Sequence, residues 1–180
     1  YFVLNLGAQC NMNCSYCYLQ SYINSPLTQV YTNLDEALLE LEGRAKEFPN
    51  APFRVGTGEV IDSLSLDDLT LYSQKLVRWF KQYPHLTLEF KTKSNNIKNF
   101  VNEEHAGNVV VSFSINPQEI VAAEEHRTAS LKERLQAARL CRDKGFPVAF
   151  HIDPMIYTPH WKEQYTQLTK EVCALFEPQD

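Results

Sequence analysis

Short apolar runs alternate along the chain with longer stretches whose apolar side chains recur every three to four positions, the pattern of repeated strand-helix units around a parallel sheet. A first strand is expected over residues 2–6. Leu34, Leu38, Leu39, Leu41 and Ala45 then have helical spacing, with Asn33 suited to the N-cap and Asp35 and Glu36 to the N-terminal dipole. A second strand follows near 53–56. Leu66-Asp67-Asp68 opens a helix carrying Leu69, Leu71, Leu76, Val77, Trp79 and Phe80, with Pro84 just past its end. Residues 86–90 give a third strand and 97–101 a short helix, and the β-branched run over 109–114 is the clearest strand in the chain. Ser130 with Glu133 forms a capping box for a helix bearing Leu131, Leu135, Ala138 and Leu140, which Lys144-Gly145 stops. A fifth strand over 147–152 precedes a last helix over 161–175, with Tyr165, Leu168, Val172 and Leu175 on one face.

Five such units fit either an open doubly wound sheet or part of a barrel, and in both the chemistry gathers at the C-terminal ends of the strands. The chemically notable residues fall there. Cys10 to Cys17 follow the first strand, Thr57 and Glu59 the second, Lys93 the third, Ser114 and Asn116 the fourth, and Asp153 the fifth.

With 180 residues, 44% of them hydrophobic, the chain is long enough for one domain with a proper core. Charged residues make up 22%, and no apolar run approaches the roughly 18 residues of a membrane span, which points to a soluble protein with no membrane partner. The net charge of -5 gives no general basic surface, so contact with DNA would need a local patch or a segment outside this chain. Three of the five cysteines crowd into residues 10–17, which suits a metal site in the reducing cytoplasm better than a secreted disulfide framework. The chain opens at Tyr1 directly into an apolar run, without an initiator Met or a signal-peptide pattern, and reads as an excerpt of a longer protein.

Cys10, Cys14 and Cys17 have a C-x3-C-x2-C spacing that can wrap three thiolates around one corner of a cluster. Structural zinc takes four protein ligands and would need a distant His or Cys, whereas a 4Fe-4S cluster on three cysteines leaves one iron open to a small molecule. Cys141 and Cys173 lie beside Leu140 and Val172 in helical stretches, where a small buried hydrophobe is the expected role. His151 and Asp153, two apart on a strand, face the same way, toward a substrate or toward satisfied buried partners. Arg127 precedes a helix and suits either a carboxylate ligand or simple surface exposure.

With aromatic residues on both sides of Cys17, the loop resembles the signature of the radical S-adenosylmethionine (radical SAM) enzymes. Cys17-Tyr18-Leu19-Gln20, Val30 to Asp35, Thr92-Lys93, Phe113 to Asn116, Arg134 to Arg139 and Pro154 to Tyr157 with Trp161 extend the likeness over nearly the whole chain, to the spore photoproduct lyase family. That resemblance implies an α/β fold, a partial parallel (β/α) barrel of about five to six strand-helix units over residues 1–180, forming a radical SAM core domain. It implies a 4Fe-4S cluster on Cys10, Cys14 and Cys17, and S-adenosylmethionine near Thr57, Glu59, Lys93 and Ser114. It implies further that S-adenosylmethionine is cleaved to a 5'-deoxyadenosyl radical that takes hydrogen from a thymine photolesion in DNA, with an electron donor such as flavodoxin or ferredoxin. Tyr18 matches a family tyrosine thought to relay the radical. Gly56 departs from the family, which carries there the cysteine that returns the hydrogen atom. Two alternatives therefore stand beside lyase chemistry: the same radical on another substrate, and a non-catalytic metal-binding module.

Overall fold

In the computed structural model, which describes residues 1–180, β1 (Phe2–Val3) is followed by a small antiparallel pair, β2 (Gly7–Ala8) and β3 (Gln29–Val30). The cysteine loop and the short α1 (Leu19–Tyr22) lie between the strands of that pair. The chain continues through α2 (Leu34–Glu47), β4 (Phe53–Gly56), α3 (Asp67–Thr70), α4 (Tyr72–Phe80), β5 (Leu86–Thr92) and β6 (Val109–Ser114). It ends with α5 (Gln118–Glu124), α6 (Leu131–Asp143), β7 (Val148–His151) and α7 (Trp161–Leu175).

The main sheet has five strands in the order β1-β4-β5-β6-β7, and every neighbouring pair is parallel. Because spatial order follows chain order, the winding never reverses, and the sheet lacks the switch point of a doubly wound fold. It is the arc of a singly wound barrel wall, all of whose strands end at one rim. No helix is long and apolar enough to cross a membrane.

Side-chain alternation divides the two faces of the arc. Leu86, Leu88 and Phe90 of β5 and Val109, Val111 and Phe113 of β6 are fully buried in the core with Leu76, Val77, Phe80, Ala138 and Leu168 of the helices. The intervening Glu89, Lys91, Ser112 and Ser114 occupy the other face, which is polar. Glu89 binds Ser112 Oγ (2.6 Å), His151 Nε2 (3.1 Å) and Arg54 (2.5 Å) on that face. Hydrogen bonding from His151 is the largest cause holding the Glu89 carboxyl down at about 2; burial opposes it, and Ser112 and Arg54 reinforce it.

The structure departs from the sequence pattern at several points. The helix expected from 66 to 80 breaks at Leu71, whose φ of 54° is left-handed, and Leu69 is 82% exposed instead of joining the core. Asp67 makes the break tolerable by accepting hydrogen bonds from Ser73 N (2.8 Å), Ser73 Oγ (2.5 Å) and Asn99 Nδ2 (2.9 Å). Residues 97–101 form a single turn, closed by Val101 N to Ile97 O at 2.9 Å, in place of a helix. Leu39 and Leu140 point to solvent, and Cys173 is exposed, since the buried stripe of α7 passes through Tyr165 and Leu168. Cys141, in contrast, is fully buried, and burial pushes its thiol up to about 12. The Ser130–Glu133 capping box forms in full.

Candidate active site

At the rim where the strands end lies a cavity of about 380 Å³. Cys10, Cys14, Cys17, Tyr18, Glu59, Lys93 and Ser114 all line it, drawn from the loops and strand ends that follow β2, β4, β5 and β6. Lys91 and Asp153 line it too, 3.7 Å apart, while Met12 and Ile61, both almost fully buried, give it an apolar side. A larger groove of about 780 Å³ between α2 and α4 holds a Lys75–Asp35 ion pair and no converging chemistry.

The cysteine loop gets its shape from its neighbours. Gln9 and Asn13 have positive φ values of 64° and 53°, which curl the chain tightly around the thiols. Ser15 N bonds Glu124 O (2.9 Å), Arg127 N bonds Met12 O (3.1 Å), and Cys14 pairs with Glu125 as an antiparallel bridge. The loop is therefore strapped to the segment after α5. All three thiols are free. Burial raises the Cys10 thiol, helped by the charge of Asp62, and burial pushes Cys14 up to about 11 although Lys93 opposes the shift.

The donor set suits a cluster with one open position, because three thiols share the cavity wall and neither a fourth cysteine nor a histidine lines it to close a zinc site. In this conformation no three Cys, His, Asp or Glu side chains stand close enough together to hold a metal ion.

Residues flagged by the sequence fall into two groups. Tyr18 lies at the rim, 58% exposed, and donates its hydroxyl to Glu59 O at 2.9 Å. Lys93 Nζ stands 5.8 Å above the Tyr16 ring, and Ser114 is buried against the cavity. Thr57, however, sits behind the wall, with its hydroxyl bonded to Ser63 Oγ (2.7 Å) and Glu89 O (2.9 Å). Arg127 is exposed, and Asn116 is buried among Glu125 (3.2 Å) and Tyr165 (2.7 Å); neither lines the cavity.

A family model described as spore photoproduct lyase matches residues 1–179. The chain belongs to the spore photoproduct lyase family. Among curated members, the spore photoproduct lyase of Geobacillus sp. (strain Y412MC61) is 27% identical over 180 residues, covering 99% of this chain and 53% of that one. The Bacillus subtilis (strain 168) spore photoproduct lyase is 28% identical over 180 residues, covering 99% and 52%. A solved spore photoproduct lyase double mutant with bound AdoMet and dinucleoside spore photoproduct superposes with a TM-score of 0.91 at 27% identity, covering 99% of this chain and 53% of that chain. Another spore photoproduct lyase, complexed with dinucleoside spore photoproduct, gives 0.89 at 28%, covering 97% and 52%. The chain spans about half the length of the curated relatives it matches.

Two polar networks in this spore photoproduct lyase family member lie beyond what the sequence predicts. Asp62 joins the turn after β4 to the end of β5, accepting from Leu64 N (2.9 Å), Ser65 N (3.0 Å), Thr92 Oγ1 (2.8 Å) and Lys93 N (2.7 Å). Arg134 and Glu125, with side chains 0% exposed, form an ion pair behind the cysteine loop. Arg134 also donates to Ser114 O (2.8 Å), Ala129 O (2.9 Å) and Thr128 Oγ1 (2.6 Å), and Glu125 accepts from Tyr16 Oη (2.5 Å). Burial works against ionisation of Glu125, but Arg134, Tyr16 and Asn116 outweigh it and hold the carboxyl below its usual range. Burial and the bond to Glu125 raise the Tyr16 phenol. One signal was present: Arg134 lies on the same helical stripe as Leu131, Leu135 and Ala138, where a charge needs a partner.

Proposed function

We propose that residues 1–179 form the radical SAM core of a cytoplasmic enzyme that repairs a thymine photolesion in DNA, the dinucleoside spore photoproduct being its minimal substrate. The observation that carries this reading is the convergence of Cys10, Cys14 and Cys17 with Glu59, Lys93 and Ser114 on one cavity at the rim of a parallel arc. When bound, a 4Fe-4S cluster and S-adenosylmethionine supply a one-electron cleavage that yields a 5'-deoxyadenosyl radical able to take a hydrogen atom from substrate. The protein's part is to bind, orient and keep water out.

Cys10, Cys14 and Cys17 hold the cluster as thiolates, and because burial raises the Cys10 and Cys14 thiols, loading releases protons. The Glu59 carboxylate accepts from the methionine ammonium, while Lys93 offers a cation to its carboxylate. Gly58, with φ of 91°, lets the backbone approach, and a Cβ there would lie 2.7 Å from Lys91 O. Ser114 contacts the nucleoside side, and Thr57 stiffens the wall from behind. Tyr18, at the rim, relays hydrogen between cofactor and substrate. An electron donor such as flavodoxin or ferredoxin would prime the cluster by reducing it, and contact with DNA would come through parts outside this chain.

Gly56 favours a second reading, the same radical chemistry on a different substrate, since no thiol stands at that position. The deciding experiment is anaerobic reconstitution with iron and sulfide, reduction, and an assay of 5'-deoxyadenosine for the wild type and Cys14→Ala. Cysteine-dependent cleavage is expected, together with loss of the spore photoproduct. Stoichiometric zinc without sulfide would replace the enzyme reading with a metal-binding module, and cleavage that leaves the photoproduct intact would favour the other substrate.

A further inference from the structure

We propose that Tyr1 is a catalytic residue of this chain, the phenol that delivers a hydrogen atom to the substrate radical. The inference rests on the radical reaction proposed for this cavity. In β1 the Phe2 ring packs edge-on against Phe53, with centroids 5.3 Å apart, on the helix side of the sheet, so alternation turns Tyr1 to the polar face. There its side chain reaches over Gly56. A Cβ built on Gly56 would lie 2.1 Å from Tyr1 Oη and 2.8 Å from Tyr1 Cζ, so Tyr1 holds the space that any side chain at position 56 would need. The Tyr1 hydroxyl donates to Glu59 Oε1 at 3.0 Å, and the Tyr18 hydroxyl donates to Glu59 O at 2.9 Å. Two phenols thus meet on one residue of the cavity wall.

A carbon radical left on a substrate needs a donor whose X–H bond is weak, which in a protein means a thiol or a phenol. The thiols are excluded by position. Cys141 is fully buried within α6, Cys173 is exposed on α7, and neither bonds a residue of the cavity wall, while the remaining three belong to the cluster loop. Tyr16 has its hydroxyl committed to the buried Glu125. Tyr1 does not itself line the cavity, but its hydroxyl is held by Glu59, which does. In the step, the Tyr1 O–H bond breaks homolytically, a C–H bond forms on the substrate, and a neutral phenoxyl remains. Tyr18 returns a hydrogen atom to Tyr1, and Tyr18 is restored by the hydrogen that 5'-deoxyadenosine took from the substrate at the outset. The adenosyl radical regenerated in that last step would rejoin methionine as S-adenosylmethionine, with the electron returned to the cluster, so atoms and electrons balance without an external reductant.

The test uses the reconstituted chain in D2O, with unlabelled S-adenosylmethionine and dinucleoside spore photoproduct. An exchangeable O–D donor places solvent deuterium in the thymine methyl group of the product. For Tyr1→Phe, which keeps the ring, product formation and methyl deuterium are each expected to fall about tenfold or more, while cleavage of S-adenosylmethionine persists and the melting temperature stays within a few degrees. Wild-type rate and deuterium content in Tyr1→Phe would overturn the inference and leave the proposed function standing. Repair by the wild type without solvent deuterium would do the same. A wild type that cleaves S-adenosylmethionine and leaves the photoproduct untouched would overturn the proposed substrate, and this inference with it.

Discussion

Arg134→Met removes the guanidinium that ties Ser114, Thr128 and Ala129 to Glu125 behind the cysteine loop, while keeping most of the apolar stem in place. The loss is calculable from its partners. Glu125 becomes a carboxylate with a 0% exposed side chain and no cation, a change that typically costs about 3–5 kcal/mol. Ser114 O and Ala129 O lose donors at 2.8 and 2.9 Å, each worth about 1 kcal/mol when a buried acceptor goes unpaired. These contributions overlap, because Glu125 keeps its bonds from Tyr16 and Asn116, and about 4 kcal/mol is expected in total. The assay is urea unfolding followed by circular dichroism, with Glu125→Gln and the double variant completing a cycle. The double variant should recover about 2 kcal/mol relative to additivity, since it strands no charge. A cost below about 1 kcal/mol for Arg134→Met, or strict additivity in the cycle, would refute the view that this pair braces the cysteine loop.

Glu89, whose carboxyl lies at about 2 against an ordinary value of 4.5, stabilises the fold by about 3 kcal/mol, fully present above pH 4.5 and lost as pH falls toward 2. The urea stability gap between the wild type and Glu89→Gln should therefore be widest near neutrality and narrow markedly by pH 3; a constant gap would contradict it. Gly7→Ala places a Cβ 2.2 Å from Gln29 O, a backbone atom that cannot swing away, so it should cost about 2 kcal/mol and reduce iron loading by parting the β2–β3 pair around the cysteine loop. Cys14→Ala should abolish the iron-sulfur absorbance after reconstitution, whereas Cys141→Ala, deep in α6, should keep it and lower thermal stability.

The arc was readable because its signals are local. Val109 to Ser114 is a β-branched run, Ser130 and Glu133 cap one helix within a single turn, and the cysteines need only a short loop. Periodicity fitted two windings, and only the pairing of β1 with β4, beside β5, β6 and β7 in order, selects the barrel arc. What escaped is non-local. Leu71 resembles a helix residue in sequence, yet Asp67 and Asn99, 32 positions apart, fix the break around it. The family resemblance assigns Thr57 to the cofactor, but strand alternation and the β4–β5 register bury it against Glu89 O. Gly56 looked like a simple deletion of chemistry, and its meaning depends on Tyr1, which lies 55 positions away in sequence and within bonding reach in space.

The five-residue pairing of β5 with β6 has a dynamic consequence. Only Phe2 and Val3 pair with β4, Leu4 N adds one bond to Gly56 O at 2.9 Å, and Phe2 and Val3 are 39% and 47% exposed. β5 and β6, by contrast, pair over five residues around a fully buried core. Amides of β5 and β6 should exchange with solvent only when the whole domain unfolds. Lys91, Thr92 and Ser114 of the cavity wall thus stand on strands held by the stability of the whole fold.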